Sequence, residues 1–337
     1  MVYKRKRPVQ SKPTTGAGVN FRQFEQLFPT EQAAIDHYLN IRYGGVITCP
    51  HCGNAEHIYR YKTRKKAFHC YKCKSSFSPL HDTIFWKSHI QIRYWFFVII
   101  MFLNDRSGVS ARNIQRELGV SYPTAWRMLQ QVRIAMSNEE TERVFQGIAE
   151  VDETYVGGKP RKYNNKDGKP IQKKQKNKRG RGTKKTPLVG VKERDTGQVY
   201  VKVMLPNEKG EKLTGKQLVE VINAKCIEGI TIMTDEFKGY NRLEKEGYVH
   251  YKVNHKLGQF SAGDGIHTNG IENFWSIFKM GWYGTYRHMS VKYLQRYVNE
   301  FCFRQNTRLH PQAFNVLLSR TVLYNKNVIT DTIMEAV

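Results

Sequence analysis

Three acidic residues in the C-terminal two-thirds of the chain have types and positions suited to metal chemistry. Asp152 and Asp235 each end a short strand-like run, and Glu272 lies in "HTNGIENFWSIFK", where apolar residues recur at helical spacing. Carboxylates gathered at one point repel each other unless cations lie between them, and hard divalent ions such as Mg2+ prefer oxygen ligands. Two such ions can activate an attacking oxygen and stabilise a leaving oxygen in phosphodiester displacement.

Neighbouring acids leave the assignment open at two of these places. Glu150 and Glu153 flank Asp152, and Glu236 follows Asp235. Because alternate residues of a strand share a face, Glu150 would share the face of Asp152 and Glu153 would not. The spacing alone does not decide between these acids.

Four of the six cysteines form two close pairs, "CPHC" and "CYKC". Two cysteines on a tight turn can share one metal ion, and two such turns supply the four ligands of tetrahedral Zn2+. In a reducing compartment such pairs hold metal more often than they form disulfides. The isolated Cys226 and Cys302 are expected to be core residues. The sequence therefore predicts a structural zinc ribbon with the ligands Cys49, Cys52, Cys70 and Cys73.

Two short helices around a glycine are predicted after the ribbon. Ser110 caps the first helix, Gly119 supplies the turn, and Ser121 caps the second helix, which tolerates Pro123 in its first turn. Such a pair forms a helix-turn-helix, whose second helix usually enters the DNA major groove. The residues of the second helix that we expect to face DNA are Arg127, Gln130, Gln131 and Arg133.

The composition indicates a polyanionic partner. The chain has 55 Lys and Arg against 29 Asp and Glu, a formal net charge of +26, which is typical of proteins that bind nucleic acid. Almost half of this charge lies in residues 159–185, which hold 13 Lys or Arg and one acid. Because the segment has almost no apolar residues, we expect a mobile loop that contacts DNA phosphates. Its most basic part contains Lys173, Lys174, Lys176, Lys178, Arg179 and Arg181.

A membrane partner is not expected. The longest apolar run covers residues 94–103, about half of the roughly 20 residues that a membrane-spanning helix needs. No apolar signal core follows the basic residues at the N-terminus. We therefore expect a cytoplasmic protein, associated with the nucleoid if it is prokaryotic.

The order of the predicted elements determines the expected fold class. Three strands, a helix, a strand, a helix, a strand and a final helix follow one another, which is the order of an RNase H-like mixed α/β sheet. In such a sheet the strands carrying Asp152 and Asp235 are neighbours, and a packed helix brings Glu272 alongside. The predicted organisation is a basic segment and first helix at 1–40, a zinc ribbon at 41–85, a helix-turn-helix region at 86–140, an RNase H-like catalytic domain at 141–320 with the basic loop at 159–185, and a tail at 321–337.

Several motifs, taken in order, resemble one known family. The stretches "CPHC…CYKC…FSPLHDTIF", "VDETYVGGK", "TDEFKGY" and "HTNGIENFWSIFKMGWYGTYRHMS" together resemble insertion-sequence transposases of the ISXO-like type, relatives of eukaryotic Merlin elements. The resemblance covers roughly residues 20–310. It implies a DDE transposase whose catalytic acids are Asp152, Asp235 and Glu272, and it thereby selects the two aspartates over their acidic neighbours.

The same resemblance suggests roles for further residues near Glu272. Lys279 occupies a position where such enzymes often carry a basic residue suited to the DNA backbone. Some members of the wider group have Asn as the third metal ligand, which keeps Asn269 and Asn273 open beside the glutamate. His267 would orient the DNA strand or water, or else would be a structural histidine at a helix start.

The resemblance also implies an activity. One phosphodiester at each transposon end would be hydrolysed, and the freed 3′-hydroxyl would attack target DNA, with Mg2+ or Mn2+ in the catalytic site. The ribbon and the helix-turn-helix would read the terminal inverted repeats, and joining two ends implies a homodimer or a larger assembly. Two alternatives are a DNA-binding regulator with a decayed catalytic domain and a structure-specific nuclease on the same fold.

Overall fold

A computed structural model describes most of the chain as two compact units. The described residues are 19–62, 66–137, 145–157, 185–208, 210, 213–253 and 265–322. The first unit takes its described residues from 19–105, 111–135 and 307–322, and the second takes them from 106–110 and 136–306.

The elements of the described segments alternate between helical and strand-rich regions. In chain order they are α1 (Phe21–Leu27), α2 (Glu31–Tyr43), β1 (Ile58–Arg60), β2 (Phe68–Cys70), β3 (Ser76–Phe77), α3 (Ile92–Asn104), α4 (Ala111–Leu118), α5 (Tyr122–Ala135), β4 (Ile148–Val156), β5 (Thr186–Glu193), β6 (Val199–Val203), α6 (Gly215–Asn223), β7 (Thr231–Thr234), a 3-10 segment (Lys238–Glu246), β8 (Val249–Lys252), α7 (Asn269–Met280), a π-helical segment (Gly281–Tyr286), α8 (Val291–Thr307) and α9 (Ala313–Val322).

Helix α3 forms the centre of the first unit, because most of its surface is apolar. Trp95 and Phe96 of this helix are fully buried. The ring of Phe96 contacts Phe28 and Phe314 at centroid distances of 5.0 Å and 5.2 Å. Phe314 belongs to α9, so the last helix packs in the helical unit, whereas the predicted boundary at residue 320 grouped it with the sheet.

The small sheet of the first unit is an antiparallel arrangement in which β2 lies between β1 and β3. Tyr59 pairs with His69, and Phe68 pairs with Phe77. The rings of Phe68 and Phe77 stack with their centroids 5.7 Å apart. Strands this short bury little apolar surface, so the sheet needs a further source of stability.

Helices α4 and α5 form the predicted helix-turn-helix. Gly119 between them adopts a left-handed φ of +62°, which glycine tolerates without steric cost. The Ser121 hydroxyl accepts a hydrogen bond from the Thr124 backbone amide at 3.3 Å and so caps α5. The predicted turn and second cap are therefore confirmed.

The prediction that four residues of α5 face DNA is wrong for two of them. Gln130 is 2% exposed and Arg133 is 1% exposed. The guanidinium of Arg133 lies over the ring of Phe102 in α3, at 5.3 Å from its centroid. Because α5 packs against α3, these side chains lie inside the helical core, whereas Arg127 is exposed and Gln131 is partly exposed.

The second unit is built on a five-stranded mixed sheet with the strand order β6-β5-β4-β7-β8. Strands β4, β5 and β6 pair antiparallel, whereas β7 pairs parallel with both β4 and β8. This order and these directions are those of an RNase H-like sheet, which confirms the predicted fold class.

Helices cover both faces of this sheet. On one face, α6 and the 3-10 segment bury Leu218, Ile222 and Tyr240 against β4 and β5. On the other face, α7 and α8 bury Trp275 and Phe301. Each face therefore has its own apolar core, and the acids of the sheet lie where these cores end.

Some predictions concern residues outside the described segments. Residues 158–184 are among them, so the predicted DNA contacts of the basic loop 159–185 are not tested. Among the described helices, none has both the length and the apolar character that crossing a membrane requires.

Candidate active site and metal centre

The two cysteine pairs meet at one end of the small sheet. Cys49 and Cys52 lie on a turn in which Gly53 has a left-handed φ of +68° and donates its backbone N–H to the Cys49 carbonyl at 2.9 Å. Cys70 ends β2, and Cys73 lies in the turn that follows. One sulfur atom from each cysteine lies within 4.8 Å of the other three.

The positions of the sulfur atoms fit one tetrahedral zinc ion. The Sγ atoms of Cys49 and Cys73 are 3.6 Å apart, and those of Cys52 and Cys70 are 3.7 Å apart. Zn–S bonds of about 2.3 Å in tetrahedral geometry place the sulfur atoms roughly 3.8 Å apart. Hydrogen bonds with Ser75 lower the pKa of Cys73 to about 6, whereas burial and the neighbouring thiols raise the pKa of Cys52 to about 12. Binding of a metal ion would therefore release a proton from Cys52.

Parallel pairing of β4 with β7 brings the two predicted aspartates together. Glu150 pairs with Met233, and the same register places Asp152 opposite Asp235, the first residue after β7. The Oδ1 atom of Asp235 accepts the backbone N–H of Phe237 at 2.9 Å, which fixes the turn after the strand. The expected neighbour relationship of these two strands is confirmed.

A third carboxylate joins the two aspartates, and it belongs to Glu153. Asp152, Glu153 and Asp235 each offer an oxygen within 4.8 Å of the other two, and we call these residues the acid cluster. Glu153 accepts a hydrogen bond from the Tyr240 hydroxyl at 2.9 Å. Burial, followed by the nearby carboxylate charges, raises the pKa of Tyr240 well above its usual value, so the hydroxyl keeps its proton.

The acid cluster concentrates negative charge on three partly buried side chains. Burial raises the pKa of Asp152 to about 7, and the charges of Glu153, Asp235 and Glu272 add to that rise. A site of this kind is stabilised by cations, and a set of carboxylate oxygens suits hard divalent ions. The residues present therefore fit a divalent metal site.

Glu272 lies in the first turn of α7 and outside the group of three oxygens that meet within 4.8 Å. Its Oε1 atom accepts a hydrogen bond from the Thr268 hydroxyl at 2.9 Å. Its charge makes only a minor contribution to the raised pKa of Asp152, after burial and the charges of Glu153 and Asp235. The predicted alternative Asn269 and the predicted Lys279 are both exposed, at the first and the last turn of the same helix.

Glu150 fixes the start of α7 against the sheet. Its carboxylate is almost completely buried and accepts the backbone N–H of Ile271 at 2.9 Å and the Nε–H of Arg194 at 3.0 Å. Gly270 allows this approach, because a Cβ atom there would lie 2.7 Å from the Glu150 carboxylate. The Lys192 ammonium adds a hydrogen bond to the Gly270 carbonyl at 3.0 Å. We call Glu150, Arg194 and the amide of Ile271 the Glu150 network.

His267 belongs to this network rather than to the acid cluster. Its Nδ1 atom lies 3.3 Å from a carboxylate oxygen of Glu150 and 3.1 Å from the Arg194 guanidinium. Arg194 also donates to the His267 carbonyl at 2.8 Å. These contacts favour the predicted alternative of a structural histidine at the helix start.

Two family models match the chain, and together they span more than half of it. Residues 144–306 match the ISXO2-like transposase domain, and residues 29–76 match the transposase zinc-ribbon domain. Over residues 144–306 the chain is similar to the ISXO2-like transposases. The first match contains the acid cluster and α7, the second contains all four cysteines of the metal centre, and both agree with the resemblance read from the motifs.

One relative of this chain is an uncharacterized protein in transposable element ISH50 of Halobacterium salinarum. It is 27% identical over 292 residues, which cover 84% of this chain and 94% of the relative. A crystal structure of a pre-cleavage Mos1 transpososome is 14% identical, with a TM-score of 0.27, over 69% of this chain and 77% of that chain. A Mos1 transposase paired-end complex with the left transposon end is 14% identical, with a TM-score of 0.26, over 67% of this chain and 78% of that chain. The fold of the sheet unit is established by its own strand order and strand directions.

Sequence reasoning weighed Glu153 and set it aside in favour of Asp152, and it missed Tyr240 and Arg194. The alternation of β4 does separate Glu153 from the face of Asp152, as expected. However, β7 ends at Thr234, one residue before the position that would pair with Asp152. The carboxylates of Asp152 and Glu153 can therefore both reach the open space at the end of β7. The adjacent acids in "VDE" were a visible signal for Glu153, whereas nothing in the sequence indicated Arg194.

Proposed function

We propose that the protein is a DNA transposase that cleaves transposon ends and transfers the freed 3′-hydroxyl to target DNA. The observation that carries the proposal is the meeting of Asp152 and Asp235 on adjacent parallel strands, with the charge of Glu272 acting on the same site. The match to a transposase domain supports the same class of activity.

The residues of the site have distinct tasks under this proposal. Asp152 and Asp235 would hold Mg2+ or Mn2+, with Glu272 completing the ligand set and Asn269 as a weaker neutral alternative. When bound, the ions supply Lewis-acid stabilisation to the attacking and leaving oxygens of the phosphodiester. Lys279, which is exposed two helical turns beyond Glu272, would contact the DNA backbone.

The remaining parts of the chain would bind DNA and pair its ends. The zinc ribbon and the exposed surface of the helix-turn-helix, including Arg127 and Gln131, would contact the terminal inverted repeats. The basic loop 159–185 would add phosphate contacts that carry no sequence information. Because two transposon ends have to be joined to one target, the working form would be a homodimer or a larger assembly on double-stranded DNA.

Charge-removing substitutions of the same size test the catalytic proposal. We expect Asp152→Asn, Asp235→Asn and Glu272→Gln each to lower cleavage of inverted-repeat duplexes in Mg2+ by roughly 100-fold or more, with DNA binding retained. Glu220→Gln makes the same chemical change on the exposed surface of α6 and should keep full activity. Cleavage and strand transfer are measured on duplexes carrying the ends of the element.

The same assay separates the proposal from its alternatives. Undiminished activity of the Asp152 or Asp235 variant would refute a metal site at the acid cluster. DNA binding without cleavage in either Mg2+ or Mn2+ would indicate a regulator. Stronger cleavage of branched DNA than of inverted-repeat ends would indicate a structure-specific nuclease.

A further inference from the structure

An exposed strip leads away from Glu272 along α7 and the π-helical segment. The inner face of these two elements is buried against the sheet and α8, through Ile271, Phe274, Trp275, Phe278 and Trp282. The outer face carries the exposed residues Asn273, Ser276, Lys279, Met280 and Tyr283. Because positions three or four residues apart share one side of a helix, these residues form a continuous strip that starts at the candidate third acid.

The charge along this part of the chain suits a polyanion. Residues 273–299 contain no Asp or Glu. The same stretch exposes the basic side chains Lys279, Arg287 and Lys292. A surface of one sign that continues from a candidate phosphodiester site favours a DNA strand over an apolar or basic protein partner.

Tyr283 is the aromatic residue of the strip, and its side chain is 66% exposed. An exposed ring among basic side chains is the composition of surfaces that bind unpaired nucleotides, because every base has a face that can stack. Along the helix axis Lys279 lies about 10 Å beyond Glu272 and Tyr283 about 6 Å farther. A strand that passes the acid cluster could therefore reach both residues.

The segment that carries Tyr283 is anchored on both sides. A Cβ atom at Gly281 would lie 2.6 Å from the Ser107 carbonyl oxygen, so glycine allows the close approach of the π-helical segment. Tyr286 donates its hydroxyl hydrogen to the buried Glu300 at 2.6 Å and accepts the backbone N–H of Val109 at 3.1 Å. A fixed backbone lowers the entropic cost of stacking a base on the ring, and π-helical turns are frequent at functional sites.

We infer that Tyr283 stacks an unpaired DNA base at the end of the strip farthest from Glu272, while Lys279 contacts an adjoining phosphate. This inference rests on the proposed function and deepens it, because it names the state of the substrate. The DNA end would be held with at least one base out of the duplex, a few helical turns of α7 away from the reacting phosphate.

The test uses the full-length protein and two duplexes of the element's terminal inverted repeat. One duplex is fully paired, and the other ends in three unpaired nucleotides with 2-aminopurine in the middle. We expect the wild-type protein to quench 2-aminopurine fluorescence and to bind the unpaired end roughly ten-fold more tightly than the paired end. Tyr283→Ala and Tyr283→Leu should abolish both effects, whereas Tyr283→Phe should retain both because it keeps the ring.

Two controls define the specificity of the effect. Lys279→Ala should weaken binding of both duplexes equally, because a phosphate contact does not depend on pairing. Tyr94→Ala removes another exposed tyrosine, on α3, and should change neither signal. Quenching and end preference that persist in Tyr283→Ala, or that are lost in Tyr283→Phe, would overturn the inference. Metal-dependent cleavage without quenching would support the proposed function and contradict base stacking on Tyr283. Quenching without cleavage would support base stacking and contradict the proposed function.

Discussion

Asp152 has a pKa far from that of an ordinary surface carboxyl group. Its pKa is raised from 3.8 to about 7, first by burial and then by the negative charges of Glu153, Asp235 and Glu272. Such an environment costs stability whenever the carboxyl group is ionised and no cation is near. Proteins keep groups like this mainly at functional sites, where a ligand offsets the cost.

The stability of the metal-free protein should therefore depend on the protonation of Asp152. The folded pKa of about 7 lies above the unfolded value of 3.8, so the stabilisation is complete below the unfolded pKa and is lost as the pH rises through the folded pKa. We expect Asp152→Asn to raise the melting temperature at about pH 8 in a metal chelator, and to raise it less at about pH 5. Differential scanning fluorimetry measures both.

Divalent metal should stabilise the wild type more than the Asp152→Asn variant. Added Mg2+ or Mn2+ should raise the melting temperature of the wild type at about pH 8, because binding to the folded state stabilises it. Asp152→Asn should respond much less, and Glu220→Gln should respond like the wild type. A lower melting temperature of Asp152→Asn than of wild type in chelator at about pH 8 would contradict the cause assigned to the pKa shift.

At the scale of elements, the position of Glu272 depends on how closely α7 approaches the sheet. The Glu150 network fixes the first turn of the helix. Gly190 on β5 permits the close packing that follows, since a Cβ atom there would lie 2.7 Å from the Trp275 ring and 2.9 Å from the Ile271 side chain. The Glu150–Arg194 ion pair and the absence of a side chain at Gly190 thus determine how closely Glu272 approaches Asp152 and Asp235.

Gly190→Ala should move α7 away from the sheet. We expect a loss of about 1–3 kcal/mol in the free energy of unfolding, because the added methyl group overpacks the core. Mg2+-dependent cleavage should fall further than this loss of stability explains, since Glu272 moves with the helix. Gly284→Ala adds the same methyl group where nothing lies within 4 Å and is the matched control. Wild-type cleavage by a folded Gly190→Ala variant would show that the position of α7 is not critical.

At the scale of the whole molecule, the five-stranded sheet unit and the zinc ribbon have different sources of stability. The sheet unit has an apolar core on each face. The ribbon has strands of two or three residues and a core of few side chains, so a zinc ion held by the four cysteines would supply the missing stabilisation. Loss of zinc should therefore affect the ribbon first.

We expect the purified protein to hold one zinc ion per chain, measured by atomic absorption. Cys73→Ser should release the zinc and lower the melting temperature of the ribbon, because a structural zinc contributes directly to folding. Cys226→Ser makes the same change at a buried cysteine outside the cluster and should keep the zinc. Full zinc content in Cys73→Ser, or zinc loss in Cys226→Ser, would argue against the four-cysteine centre.

Local patterns predicted much of this architecture. The spacing of the cysteines predicted their cluster, because two tight turns bring four thiols together whatever surrounds them. The order of strands and helices predicted that Asp152 and Asp235 lie side by side, since the topology of this sheet makes their strands neighbours. The periodicity of "IENFWSIF" predicted the buried face of α7.

Only the tertiary structure decided which polar residues line the candidate active site and which are buried in the protein core. Arg133 and Gln130 have the side chains of a DNA-reading helix, yet the packing of α5 on α3 buries them. Glu153 enters the acid cluster because β7 stops one residue short, and Glu150 turns to the helix start because Gly270 leaves room. The sequence by itself determines the periodicity and the side-chain chemistry of each helix and strand. Which side chains are buried, and which charged groups lie together, depends on where neighbouring elements end, and local spacing does not contain that information.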